Sequence, residues 1–155
     1  MDYLIVEFGT GGRVTVLDQF YPGNTGETGI EKIEARGVTH GFQVGTDAAN
    51  SLAGGAGDDL LHGSSGGDTL IGRAGDDLFV FADGDGADTV RDFTAGADTE
   101  DKINLAAVSD ANSYAGVTAN ASQDGADTLL DFAQVDIRLL GVQLNALDQA
   151  DFLFA

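Results

Sequence analysis

The feature that most constrains this chain is a period of nine residues running from Gly45 to Arg91. Written in nines, the blocks are GTDAANSLA (45–53), GGAGDDLLH (54–62), GSSGGDTLI (63–71) and GRAGDDLFV (72–80). After a two-residue insertion, Phe81-Ala82, a fifth follows as DGDGADTVR (83–91). The sixth position reads Asn50, Asp59, Asp68, Asp77, Asp88, and the eighth reads Leu52, Leu61, Leu70, Phe79, Val90. Isolated Gly-Asp pairs ordinarily mark surface turns. Five blocks in register with an apolar column argue instead for a repeat architecture, because a fixed period outweighs local propensity.

A block of nine suits three residues of strand and six of turn. The turn carries the chain from one sheet to a facing one, so two blocks complete a coil. Neighbouring strands in a sheet then belong to blocks n and n+2 and run parallel, without the long crossover that parallel pairing in one sheet normally needs. Side chains alternate along a strand, which turns the eighth position inward and makes Leu52, Leu61, Leu70, Phe79 and Val90 a narrow core. Glycines allow the turns to stack without side-chain collision. The expected fold class is all-β: a right-handed parallel β-roll, a two-sheet solenoid, with N-terminal β-strands and a C-terminal strand-rich cap.

The same coiling aligns the sixth-position residues along the two edges of the roll, Asn50, Asp68 and Asp88 on one and Asp59 and Asp77 on the other. Without a counter-ion these are columns of like charge. Carboxylates together with backbone carbonyls, here those of Gly54, Gly57, Gly63, Gly66, Gly72 and Gly75, form the oxygen-rich, irregular donor set that Ca2+ accepts and Mg2+, with its strict octahedral demand, does not. Candidate metal sites therefore lie between Asn50 and Asp68, between Asp68 and Asp88, and between Asp59 and Asp77. The Asn50 site should be weakest, having one charge fewer. Asp58 and Asp76, at the fifth position, read as solvated turn residues. The EF-hand alternative fails on DGDGADTVRDFT: its fifth position is Ala87, its sixth is Asp88 where glycine is required, and Thr94 stands where a bidentate glutamate belongs.

These residues resemble the GGxGxDxUx nonapeptide of RTX (haemolysin-type) proteins, whose repeats form calcium-loaded parallel β-rolls. GGAGDDLLH matches at every specified position, GSSGGDTLI and GRAGDDLFV lack one or two glycines, and GTDAANSLA is degenerate. Downstream, DTVRDFTAGADTEDKINL is similar to the segment after the roll in serralysin-type and alginate-epimerase-type RTX modules, with three residues inserted and Asn104 where an acid is common. LLGVQLNALDQADFLF is similar to the chain ends that carry uncleaved type I secretion signals. The resemblance implies a secreted, extracellular module at the C-terminus of a bacterial protein. It further implies folding on binding extracellular calcium, support of an N-terminal passenger domain and export by type I secretion machinery.

Composition agrees with a cation-binding module. Twenty-six acidic residues against seven basic ones give a formal charge of −19, which repels nucleic acid and anionic membranes and favours metal ions. With no cysteine, neither a disulfide framework nor a thiolate site can form. The apolar run Tyr3-Leu4-Ile5-Val6 is too short for a signal h-region or a membrane span. Residues 3–17 suggest a hairpin, the stretch around Pro22 a loop, and Ile30 to Ile33 a further strand. We expect one compact domain with segments 1–43, 44–93 and 94–155.

In the last segment, residues 106–122 read as loop or weak helix, DGADTLLDF as a second strand of the same build as DGADTVRDF, Asp136 to Leu140 as a strand, Gly141 as a turn and Asn145 as the start of a helical turn. Phe93, Phe132 and the tail aromatics are candidate caps for the ends of the roll. On the outer face, Leu60, His62, Leu78 and Val80 should form an apolar patch, covered by the N-terminal strands or the tail. The facing sheet should show Ser51, Ala53, Thr69, Ile71, Thr89 and Arg91. His40 and His62 lack zinc-ligand spacing, and Ser64 and Ser65 have no nucleophile-elbow context, so no enzyme activity is expected. A competing reading, a calcium-stabilised polysaccharide- or surface-binding module, is weakened by the scatter of the seven basic residues.

Overall fold

The computed structural model describes residues 3–8, 12–17, 30–35, 38–96 and 101–155, with the backbone alone for the strands before Gly41. The turn joining the first two strands, the loop around Pro22, and residues 97–100 of the post-roll segment lie outside them.

Each nonapeptide contributes one short strand, as the period requires. β5 (Ser51–Ala53), β6 (Leu60–His62), β7 (Thr69–Ile71), β8 (Leu78–Ala82) and β9 (Gly86–Val90) alternate between two sheets. β5 pairs with β7, β7 with β9 and β6 with β8, all parallel, in the n to n+2 register. This is a parallel β-roll. Leu61, Leu70, Phe79 and Val90 are fully buried and Leu52 nearly so, each such burial contributing about 1.5–3 kcal/mol relative to exposure. The insertion Phe81-Ala82 lengthens β8 by two residues, which preserves the alternation and sends Phe81 inward, also fully buried.

The roll reaches further in both directions than the repeat suggests. On the N-terminal side β4 (Val38–Val44) pairs parallel with β6, aligning Phe42, Gln43 and Val44 with Leu60, Leu61 and His62. Residues 38–44 thus stand as an additional layer of the roll, with Gly41 in register with the sixth position and Gln43 with the eighth. Before it, β1 (Tyr3–Phe8), β2 (Gly12–Leu17) and β3 (Ile30–Ala35) form an antiparallel meander that ends on β4. Gln43 fills the place of an apolar residue, and its amide donates to the Ala53 carbonyl and accepts from the Ala53 N–H. It thereby satisfies the free edge of β5, the outermost strand of its sheet.

On the C-terminal side β10 (Lys102–Ala107) pairs parallel with β8, and β13 (Val135–Leu139) with β9. β11 (Ala121–Asp124) and β12 (Asp127–Asp131) join β13 antiparallel, and β14 (Phe152–Leu153) closes the other sheet beside β10. The two DGADT phrases therefore serve different ends: Asp88 stands on the parallel roll, whereas Asp127 sits in an antiparallel hairpin and accepts from Arg138 and from Gly141 N–H. The stretch read as loop or weak helix holds one short helix, α1 (Tyr114–Ala119), capped by the Ser113 side chain. Asn104 lies where the register of β10 shifts, and its side chain accepts from Ala106 N–H.

Phe93 and Phe132 are buried in the core. Phe93 packs edge-on to Phe79, while Phe152 stacks with Phe154 and lies against Tyr114. The expected covering of the Leu60/Leu78 face takes a different form. The N-terminal strands and the tail extend that sheet at its two edges, and Leu60, His62, Leu78 and Val80 are half-buried. Edge pairing satisfies backbone donors and acceptors that an overlaid segment would leave open.

Candidate metal centre

The turns that join the strands stack along two edges. Turns 45–50, 63–68 and 83–88 form one, called here the Asp68 edge; turns 54–59 and 72–77, extended by Gly41 and by Asp92, Thr94 and Asp101, form the Asp77 edge. On both, the backbone N–H of each sixth-position residue donates to Oδ1 of the sixth-position carboxylate one coil later. The Asp68 edge runs from Asn50 N–H to Asp68 (2.7 Å) and from Asp68 N–H to Asp88 (2.8 Å). The Asp77 edge runs from Gly41 N–H to Asp59, from Asp59 N–H to Asp77 (2.8 Å) and from Asp77 N–H to Asp101 (3.0 Å). The structure therefore brings together all three of the expected pairs. Asp59, Asp68, Asp77, Asp88 and Asp101 are all buried.

Each bond occupies one carboxylate oxygen and leaves the other to be accounted for. Asp68 Oδ2 and Asp88 Oδ2 are buried with no hydrogen-bond donor, a costly condition for an ionised group. The glycines at the first position explain how these oxygens fit. A Cβ at Gly63 would collide with Asp68 Oδ2, at Gly54 with Asp59 Oδ2 and at Gly72 with Asp77 Oδ2. Gly72 O lies beside Gly54, Gly63 O beside Gly45, Gly66 O beside Gly86, and Gly57 O beside Gly75. Carboxylate and carbonyl oxygens thus share the space that side chains would otherwise fill.

Electrostatics mark the same residues. Burial pushes the Asp88 carboxyl up to about 7; the Asp68 N–H bond opposes this, while the Asp68 and Asp85 charges reinforce it. Burial pushes Asp77 up to about 6, with Asp101, Asp59 and Asp92 adding to the rise against the Asp59 N–H bond. Asp68 is raised for the same principal reason. A nearby cation reverses this preference by favouring the charged form. Among the described residues no three acidic or imidazole side chains converge on one point, so an ion between two turns must take the rest of its shell from carbonyls. That is a hard-cation, all-oxygen donor set, and it fits calcium.

Other expected positions have local uses. Asn50 Oδ1 accepts from Thr46 N–H at 2.6 Å within its own turn. Asp58 and Asp76 are exposed, and Asp76 N–H donates to Asp58 Oδ1. The carbonyl of Gly54 accepts from the Arg73 guanidinium at 2.8 Å. His62 Nε2 lies 3.2 Å from Asp85 Oδ2.

Asp101 and Asp92 escape a reading by period. Asp101 follows Asp77 by 24 residues, where two uninterrupted blocks would give 18, so the count of nine passes over it. Asp92 binds the N–H groups of Gly72 and Arg73. The detectable signal for Asp101 was local: an acid directly before an alternating apolar strand, Ile103 and Leu105, as in the blocks themselves.

A family model for the RTX calcium-binding nonapeptide repeat, in four copies, matches residues 44–79. No curated protein sequence matches the chain. Among solved structures, the extracellular lipase LipA from Serratia marcescens is similar over 99% of this chain and 31% of that one, with TM-score 0.55 and 16% identity. The AlgE6R3 subunit of the Azotobacter vinelandii mannuronan C5-epimerase is similar over 72% of this chain and 81% of that one, with 28% identity and TM-score 0.44. The chain spans about a third of the lipase's length; the likeness is one of fold. Residues 44–79 match the RTX calcium-binding nonapeptide repeat, and the unit built around them is a parallel β-roll.

Proposed function

We propose that calcium bridges successive turns through the sixth-position carboxylates and the turn carbonyls, and that this binding folds the roll. The observation that carries the proposal is the buried, donorless pair Asp68 Oδ2 and Asp88 Oδ2 on adjacent turns. Asp68 serves two steps of its edge, with Asn50 before it and Asp88 after. The pair Asp59 and Asp77 offers the same carboxylates on the other edge. Carbonyls of Gly57, Gly63, Gly66, Gly72 and Gly75 complete the donor set.

A bound divalent ion supplies the positive charge that keeps these carboxylates ionised. Folding must otherwise bury a ladder of negative charge in a chain of net charge −19. An ion bound only by the folded state stabilises it by RT ln(1 + [L]/Kd), about 2.7 kcal/mol per site at a hundredfold excess over Kd. Two or three such sites are comparable with the roughly 5–15 kcal/mol total stability of a domain. The module stays open where calcium is scarce and closes where it is plentiful. This behaviour suits the C-terminal folding unit of a protein exported by a type I route with a passenger ahead of it. The lipase of similar fold is itself extracellular, and no helix among the described residues is long and apolar enough to cross a membrane.

Far-UV circular dichroism and calorimetric titration test the reading. β content should rise with calcium and fail to rise with equimolar magnesium or with chelator. Equal β content in all three would overturn it.

A further inference from the structure

The outer face of the eight-stranded sheet is apolar yet only half-buried. Register sets two rows of residues across it. Phe42, Leu60, Leu78 and Lys102 align on β4, β6, β8 and β10, and Glu31 on β3 continues that row. Val44, His62, Val80, Asn104 and Leu153 make the second row, which ends on β14. In both rows the residues from β4 to β10 are half-buried, whereas Leu61, Phe79 and Ile103, on the inner side, are fully buried. Leu153, at the rim, is 42% exposed and is the one exposed large hydrophobic residue among those described.

The N-terminal meander extends the same face. Its pairing sets Ile33, Val16 and Leu4 in one row and Val14 and Val6 in the next, both on the side of Glu31 and Phe42. The other charged residues of these three strands, Glu7, Arg13, Lys32 and Glu34, take the alternate positions and so stand on the opposite side. Segregation of this kind marks a sheet with one face to bury. Glu31 is the single acid at the strand positions of the outer face, in a chain with 26 acidic residues. A contiguous apolar surface of this extent is the mark of an interaction site.

Seven spacings of about 4.8 Å across the eight strands, which average about five residues at about 3.3 Å each, give an area of about 500–600 Å². Two such faces together bury just over about 1,000 Å², the threshold for a specific association. Charge selects the occupant. The long row begins with an acid at Glu31 and ends with a base at Lys102, and β6 lies midway between β3 and β10. A two-fold axis parallel to the strands at β6 therefore lays the row on itself in reverse, so that Leu60 meets Leu60, Phe42 meets Leu78 and Glu31 meets Lys102. The surface is its own complement, as an isologous pair requires. We propose that this face joins two copies of the chain, packed sheet on sheet about a two-fold axis along β6, with Glu31 of each copy opposite Lys102 of the other. The carboxylates of the roll lie along its edges rather than on this face, and salt screens them beyond about 8–10 Å, so the net charge of −19 does not bar contact. The pairing rests on the folded roll and not on which turns hold calcium.

Sedimentation equilibrium of the whole chain in calcium, with circular dichroism as the check on folding, tests the pairing. The parent should be a dimer. Leu60→Asp, which sets two carboxylates against each other on the axis, should be monomeric, while Thr69→Asp, on the outer face of the other sheet, should remain dimeric. Lys102→Glu and Glu31→Lys should each raise the dimer Kd about tenfold or more, because each opposes like charges, and the double reversal should restore the parent value. These charge reversals decide the matter if Leu60→Asp fails to fold. A parent that gains β structure in calcium yet stays monomeric would overturn the pairing and leave the calcium reading standing. So would a dimer untouched by Leu60→Asp, or single reversals without effect or without mutual rescue. β content indifferent to calcium would overturn the calcium reading instead, and the sedimentation result would still decide the pairing.

Discussion

On the Asp68 edge, Asp68 and Asp88 each keep one buried oxygen without a donor; on the Asp77 edge, Asp59 engages both of its oxygens, with the N–H groups of Gly41 and Gly55, and Asp101 does the same with Asp77 and Thr94. The same nonapeptide thus yields one edge with buried carboxylate oxygens that lack donors and another on which Asp59 and Asp101 engage both oxygens while Asp77 accepts on Oδ1. The difference arises from Gly55, whose N–H meets the second Asp59 oxygen within its own turn, and from Thr94, beyond the period, whose N–H meets the second Asp101 oxygen. An aspartate at the sixth position therefore indicates placement on the edge, while its neighbours decide how much it needs an ion.

The largest effect that would break this contrast is expected from Asp68→Asn. It removes a charge shared by two steps while keeping an acceptor for Asn50 N–H. The calcium midpoint for folding should rise about tenfold or more, equivalent to about 1.4 kcal/mol per factor of ten. In chelator the same variant should be more stable than the parent, because burial disfavours the ionised form. Asp59→Asn should lack that gain. An amide offers one acceptor oxygen to two N–H donors, and leaving one unsatisfied costs about 1–3 kcal/mol. Urea unfolding with and without calcium separates the two; equal behaviour would erase the contrast.

Next in size is the pH dependence. Asp77 and Asp88 have folded-state values of about 6 and about 7, above the ordinary 3.8. Between those limits the native state holds more protons than the unfolded one. Calcium-free stability is therefore greatest near pH 4 and falls as pH rises towards 7. Calcium affinity runs the other way and strengthens over the same interval, since the ion competes with those protons. Thermal melts at pH 5 and pH 7.5, in chelator and in calcium, should show the melting order reverse.

Gly63→Ala should destabilise the folded chain by about 1–3 kcal/mol, through collision of the new Cβ with the Asp68 carboxylate. Gly55→Ala, whose added Cβ would have Asp59 Oδ2 as its nearest neighbour at 3.8 Å, should be tolerated. The smallest change is expected from Asn50→Asp, which adds charge at a partly exposed position already bonded within its turn. A several-fold gain in affinity for the first step of the Asp68 edge, read by calorimetry, would sharpen the comparison further.

Much of the roll was legible because its period fixes both which residues pair and which face inward. Leu52 through Val90 fall in the core, and Asp59 through Asp88 on the edges, by the same count of nine. Whatever broke the count was hidden. The layer at 38–44 carries glycine and glutamine where the pattern has aspartate and leucine, so it contributes a strand and an N–H but no recognisable block. Asp101 lies 24 residues after Asp77, out of step with the period. The Arg73 contact depends on a left-handed turn that lets a long side chain fold back, and no spacing rule encodes that.

Gln43 bears on how such a solenoid avoids growing without limit. A roll is a stack whose last layer always offers a template for another, and an unprotected outer strand invites a second molecule to continue it. By filling both hydrogen-bonding groups of Ala53 with its own amide, the chain seals that terminus from within. A second molecule approaching this edge would find the Ala53 backbone already paired.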